Sequence, residues 1–147
     1  MTDKLAIASD HAGYTLKQAI KQRFSDIEWV DLGTDSGESV DYPDFGQAMG
    51  ESITKGEAPR GVLVCGSGIG ISIAANRFPK VRAALCTSAE MAKLSRQHND
   101  ANVLALGERI IDEATALACV EAFLNTEFEG GRHQGRVDKL TALGPSS

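Results

Sequence analysis

The chain has 147 residues, a formal charge of −5 and 24% charged residues. That length suits one domain, and a scattered acidic balance argues against a nucleic-acid backbone as main partner, since phosphates call for a basic face. No apolar run approaches the roughly 20 residues of a membrane-crossing helix, and Asp10 and His11 break the only N-terminal apolar run, which excludes a signal-peptide layout.

Residues 5–9 are short and apolar, the signature of a buried strand. Residues 14–24 carry Leu16, Ala19, Ile20 and Phe24 at helical spacing. Residues 27–32 return to strand character, and a polar, turn-rich loop is expected over 34–43. A helix is expected over 45–54, a strand over 62–65 and a helix over 69–76, stopped before Pro79. Residues 82–86 predict a fourth strand. Ser88 is a fitting N-cap for a helix over 89–97. A fifth strand at 102–106 and an amphipathic helix at 112–123 follow. From Gly130 the tail is polar and carries Arg132 and Arg136.

Strand and helix alternate, and the strands are continuously apolar, as strands covered on both faces are. The expected fold is a Rossmann-like α/β domain: a three-layer αβα sandwich around a doubly wound, five-stranded parallel sheet. One domain spans 1–147, with no linker and no internal repeat. Ligands of such sheets sit beyond the carboxyl ends of the strands. Asp10 and His11, the 34–42 loop, Cys65–Gly70, Thr87 and Gly107–Arg109 are therefore expected to converge.

Gly66, Gly68 and Gly70 follow a strand and open a helix, an arrangement that turns backbone N–H groups toward an anion. The run is not a phosphate-binding P-loop, because no Lys–Ser/Thr pair follows. Its G-x-G-x-G spacing also misses the dinucleotide fingerprint. A C-x5-R phosphatase loop fails as well, because Ile71 holds the arginine position. Read alone, the glycines describe a tight turn that packs a helix on the sheet. Cys65 at the mouth of that turn changes the weighing: a helix N-terminus favours the thiolate, which is a base or a nucleophile. Cys86 and Cys119 fall inside a strand and a helix and read as packing. Three cysteines without CxxC spacing form neither a disulfide framework nor a zinc site, so a reducing, cytoplasmic setting is expected.

Histidines are few: His11, His98 and His133. His11 follows the first strand. His98 precedes the fifth, which puts it at the wrong end of the sheet to reach Cys65 within one subunit. Arg132 and Arg136 share a face if the tail is helical and then suit a phosphate; a solvated tail is the plainer alternative. Arg109, past the fifth strand, is better placed for an anion near Cys65.

Five segments together resemble the type B ribose-5-phosphate isomerases and the two-subunit galactose-6-phosphate isomerases. They are SDHAG at 9–13, DYP at 41–43, CGSGIG at 65–70 continuing into SIAAN at 72–76, LSRQHND at 94–100, and EGGRH at 129–133. They span nearly the whole chain in the same order.

The resemblance implies interconversion of an aldose and a ketose phosphate through an enediolate, without metal or cofactor. It implies Cys65 as the base between C2 and C1, and the amides of Gly66, Ser67, Gly68, Ile69 and Gly70, with the Ser67 hydroxyl, as donors to the enediolate oxygen. His98 is implied as the ring-opening group. Asp10 and Asn99 are implied to hold sugar hydroxyls, Tyr42 to line the pocket, and His11, Arg109, Arg132 and Arg136 to surround the phosphate. It further implies a homodimer whose site lies at the interface, with His98 and the tail, about 127–147, supplied by the neighbour. A tetramer of two such dimers fits the same scheme.

Two positions depart from the pattern. Ser67 stands where many relatives have Thr, which keeps the hydroxyl. Ile71 stands where another branch has its glutamate base, which assigns this chain to the cysteine branch. The leading expectation is a ribose 5-phosphate isomerase. An isomerase of galactose or allose 6-phosphate is the alternative within the class, and a non-catalytic sugar-phosphate binding protein the alternative outside it; the latter needs neither Cys65 nor His98.

Overall fold

The computed structural model describes residues 3–143; the outermost parts of the expected domain, 1–2 and 144–147, lie outside them. Strand β1 is Lys4–Ser9, β2 is Glu28–Asp31, β3 is Arg60–Cys65, β4 is Ala83–Leu85 and β5 is Val103–Gly107. All pairings are parallel, in the order β2-β1-β3-β5-β4. This is the five-stranded parallel sheet the alternation predicted.

Helix α1 is Tyr14–Arg23, α2 is Tyr42–Lys55, α3 is Ile69–Ala75, α4 is Ala89–Asn99, α5 is Glu113–Asn125 and α6 is Arg132–Ala142. Successive side chains of a strand point to opposite faces, and here both faces are covered. Leu5, Ile7, Val62, Val64, Leu104 and Leu106 meet Leu16 and Ile20 of α1, Ala92 of α4 and Val120 and Phe123 of α5. Ala6, Ala8, Leu63, Cys65 and Ala105 meet Met49 and Ile53 of α2 and Ile71 and Ala75 of α3. Each large side chain buried this way contributes about 1.5–3 kcal/mol. The helices thus form two layers around the sheet.

The topology places a crevice. From β1 the chain passes through α1 to β2 on one side, then through α2 across to β3 on the other. Loops leaving β1 and β3 part there, at the carboxyl ends of adjacent strands, the location at which doubly wound sheets bind ligands.

Most ends shift by one or two residues, and three differences have a local reason. Helix α2 starts at Tyr42, not at 45, because Pro43 sits in its first turn, where a missing N–H costs nothing. Helix α4 continues to Asn99 and ends on Asp100 with φ 47°, so His98 is helical. The tail forms α6, whose inner face buries His133 and Val137. Among the described residues no helix is long and apolar enough to cross a membrane.

Candidate active site

The crevice is a cleft of about 600 Å³. Asp10, His11 and Ala12 line it from the turn after β1, and Cys65, Gly66, Ser67, Ile69 and Gly70 from the turn after β3. Arg109 and Ile110 enter from the loop after β5, and Tyr42 and Ile73 from α2 and α3. Nine expected site residues therefore meet in one place: Asp10, His11, Tyr42, Cys65, Gly66, Ser67, Ile69, Gly70 and Arg109.

The Cys65 turn is built around one left-handed residue. Gly68 has φ 79°, and a Cβ on it would lie 2.9 Å from the carbonyl carbon of Leu106. That backbone state is open to glycine at little cost. The Gly68 amide donates to Cys65 Sγ at 3.1 Å. The Ile69 amide donates to Ser67 Oγ at 3.2 Å. The Glu108 and Arg109 amides donate to the carbonyls of Cys65 and Gly66, each at 2.9 Å, which fastens the loop after β5 to the turn. A side chain on Gly107 would strike the Ser67 backbone at 2.5 Å, so the two loops touch without side chains between them. The turn thus aims one backbone donor at the Cys65 sulfur.

Across the cleft, Asp10 Oδ1 accepts from the Gly13 amide at 3.1 Å, which caps the short helical turn His11–Gly13. His11 Nδ1 accepts from the Val40 amide at 3.1 Å. A neutral His11 therefore carries its proton on Nε2 and acts as a donor there. The loop bearing Val40 is anchored by a buried charge: Lys17 Nζ donates to Asp31 Oδ1 at 2.8 Å and to the Thr34 carbonyl. Burial alone would raise the Asp31 pKa, but hydrogen bonds from Lys17, Lys21 and the Gly33 amide outweigh it and hold the carboxyl below its ordinary range.

The other two cysteines do not share this environment. Burial pushes the Cys86 thiol up to about 12, and burial also raises that of Cys119. Both stay neutral, in agreement with their reading as packing.

His98, Asn99, Arg132 and Arg136 do not line the cleft. His98 and Asn99 end α4, and the chain then enters β5 at its amino end, opposite Cys65. The helical tail puts Arg132 and Arg136 one turn apart, both exposed. Two residues that sequence reasoning gave no role join this second group. The His133 ring stacks on that of His98, with centroids 4.5 Å apart and planes 16° apart. Glu129 Oε1 lies 3.5 Å from His133 Nε2. The EGGRH run was visible in the sequence; its contact with α4 was not, since His98 and His133 stand 35 residues apart in the chain.

His98, Glu129 and His133 bring ligand-type atoms within 4.8 Å of one another, a set that a divalent ion takes in other settings. Imidazole lone pairs lie in the ring plane, however, and two nearly parallel stacked rings do not aim them at one centre.

The cleft has an apolar rim. Ile69, Ile73 and Ile110 are 52%, 59% and 60% exposed, and Tyr42 is exposed beside them. Isolated exposed apolar residues are ordinary, but these four gather around one cleft.

Comparison with known proteins places these features in context. The family described as Ribose/Galactose Isomerase matches residues 5–140. Ribose-5-phosphate isomerase B of Escherichia coli is 44% identical over 142 residues, 95% of each chain. The solved structure of Clostridium thermocellum ribose-5-phosphate isomerase B superposes with a TM-score of 0.93 at 51% identity, covering 95% of this chain and 96% of that one. That of the Thermotoga maritima ribose 5-phosphate isomerase also gives 0.93, at 48% identity over 97% of this chain and 99% of its counterpart.

Proposed function

The chain belongs to the ribose/galactose isomerase family, and we propose that it interconverts ribose 5-phosphate and ribulose 5-phosphate with Cys65 as the proton carrier. The observation that carries this reading is the meeting of Cys65 with the Gly66–Gly70 turn, Asp10, His11 and Arg109 in one cleft. The names of the E. coli and C. thermocellum relatives support the substrate.

In the open-chain aldose, the Cys65 thiolate takes the proton from C2. The electron pair left behind forms the C1=C2 double bond, and the negative charge passes to the former aldehyde oxygen. Donors of the turn and the Ser67 hydroxyl face that oxygen. A single such donor contributes about 3–4 kcal/mol to the barrier. The thiol then returns its proton to C1. The proton of the C2 hydroxyl moves to the C1 oxygen, and C2 becomes the carbonyl. His11 and Arg109 supply donors and positive charge for the phosphate, and Asp10 accepts from sugar hydroxyls. No step calls on a metal or cofactor.

Ribose 5-phosphate is mostly a closed furanose, so ring opening must precede the proton transfer. His98 is assigned that role, delivered with Asn99, Arg132 and Arg136 from a second copy of the chain. The distance of these residues from Cys65 along the sheet and the apolar rim of Ile69, Ile73 and Ile110 support a homodimer with two shared sites. Free cysteines at 65, 86 and 119 support a cytoplasmic setting.

The test is conversion of ribose 5-phosphate by the purified chain in EDTA, beside Cys65→Ser. Activity that resists EDTA and falls by about 10²–10⁴ in the variant, the range for a lost acid–base group, is the expected result. Equal activity in both proteins removes Cys65 from its role. A folded protein active only on hexose 6-phosphates replaces the substrate.

A further inference from the structure

We infer that His133 is a positioning residue that sets the imidazole of His98 for ring opening. This rests on the assignment of ring opening to His98 made above.

The geometry is specific. His98 lies in the last turn of α4 and is only partly buried. A histidine ring at a helix end is free to rotate about its second side-chain torsion, which has broad, shallow preferences. Proton transfer to a ring oxygen needs the imidazole N–H aimed along one direction, and a small misalignment is costly in rate. His133 removes that freedom. It is itself buried, at 6% exposure, and its ring lies almost flat on that of His98. Rotating the His98 ring would break the stack.

The support of His133 is also built in. Gly130 and Gly131 have φ of 68° and 54°, a pair of left-handed residues that folds the chain back over α4. The His133 amide donates to the Gly130 carbonyl at 3.0 Å and closes this turn. Glu129 is tied to α4 by its own amide, which donates to the Gln97 carbonyl at 3.1 Å. Its carboxylate reaches His133 Nε2 at 3.5 Å. Arg96 strengthens the same junction: Nε donates to the Thr126 carbonyl at 3.1 Å and a terminal nitrogen to the Ala101 carbonyl at 2.7 Å. The 126–133 segment thus clamps the turn of α4 that bears His98. His133 faces inward on α6 while Arg132 and Arg136 remain exposed.

The experiment separates ring opening from proton transfer. Ribulose 5-phosphate is acyclic, so exchange of its C1 hydrogen in heavy water needs Cys65 and no ring chemistry. Net conversion of ribose 5-phosphate needs both. The expected result for His133→Ala is a fall of about ten-fold or more in net conversion, with C1 exchange near the parent rate. His133→Phe keeps a flat ring on His98 and recovers most of the loss. Three results overturn the inference: net conversion unchanged in His133→Ala; exchange and conversion falling together, which assigns His133 to the fold; or His133→Phe as impaired as His133→Ala. His98→Asn run in parallel tells the two layers apart. If it shows the split and His133→Ala does not, only the role of His133 fails. If His98→Asn converts ribose 5-phosphate normally, the assignment of His98 fails first.

Discussion

The amide of Gly68 donates to the sulfur of Cys65 from only three residues away. The next torsion, φ 79° at Gly68, then carries the chain past the Leu106 carbonyl into α3. The Cys65 thiol and the glycine turn are thus held together. Gly68→Ala introduces a Cβ 2.5 Å from a Leu85 methyl and 2.9–3.0 Å from the Leu106 backbone. The left-handed state alone costs a non-glycine residue about 1–2 kcal/mol. We expect a lower midpoint in urea together with loss of isomerase activity. Full activity in Gly68→Ala would show that the turn tolerates a different path.

A site shared between two copies predicts complementation. Cys65→Ser and His98→Asn each lack one half of every site in their own homodimers. In a mixed dimer one site receives both lesions and the other receives none. Random re-pairing makes half the dimers mixed, so activity returns to about one quarter of the parent value, as a two-fold interface dictates. Mixing after unfolding and refolding, with activity as readout, checks this. No recovery from two folded, re-paired chains places Cys65 and His98 in the same subunit's site.

The Lys17–Asp31 pair predicts an acid limit. Asp31 has a folded pKa below the ordinary value of 3.8. Its contribution is therefore complete above 3.8 and is lost as pH falls through the folded value. Asp31→Asn leaves Lys17, which is 1% exposed, without its counter-charge. Breaking a fully buried pair from one side costs about 3 kcal/mol or more; because Asp31 itself is exposed, the expected loss here is about 1–3 kcal/mol. Urea melts of both proteins should differ by that amount near neutrality and converge under strong acid. A gap that stays constant with pH contradicts the assignment.

Thiol chemistry should be selective. Cys86, held near 12 by burial, and Cys119, raised by the same cause, present no thiolate near pH 8. Iodoacetamide added to native protein should modify Cys65 first, with activity falling in step, and should reach the other two only after unfolding. Peptide mass spectrometry reads the order. Early labelling of Cys86 would mean that its strand end opens more readily than the fold suggests.

The sequence by itself determined the parallel sheet, because strands covered on both faces must be apolar at every position, and the runs at 5–9, 62–65 and 102–106 are. It also made the lining of one cleft legible: Asp10, His11, Cys65 and the glycines stand at or just past the carboxyl ends of β1 and β3, and the carboxyl ends of parallel strands share one edge. Boundaries such as Tyr42 and Asn99 were less legible, because a helix end is set by caps and packing rather than by periodicity. What only the tertiary structure decided is the company of His98. Its stack with His133 depends on two left-handed glycines and on α6 folding back onto α4, contacts between segments distant in the chain that no local pattern encodes.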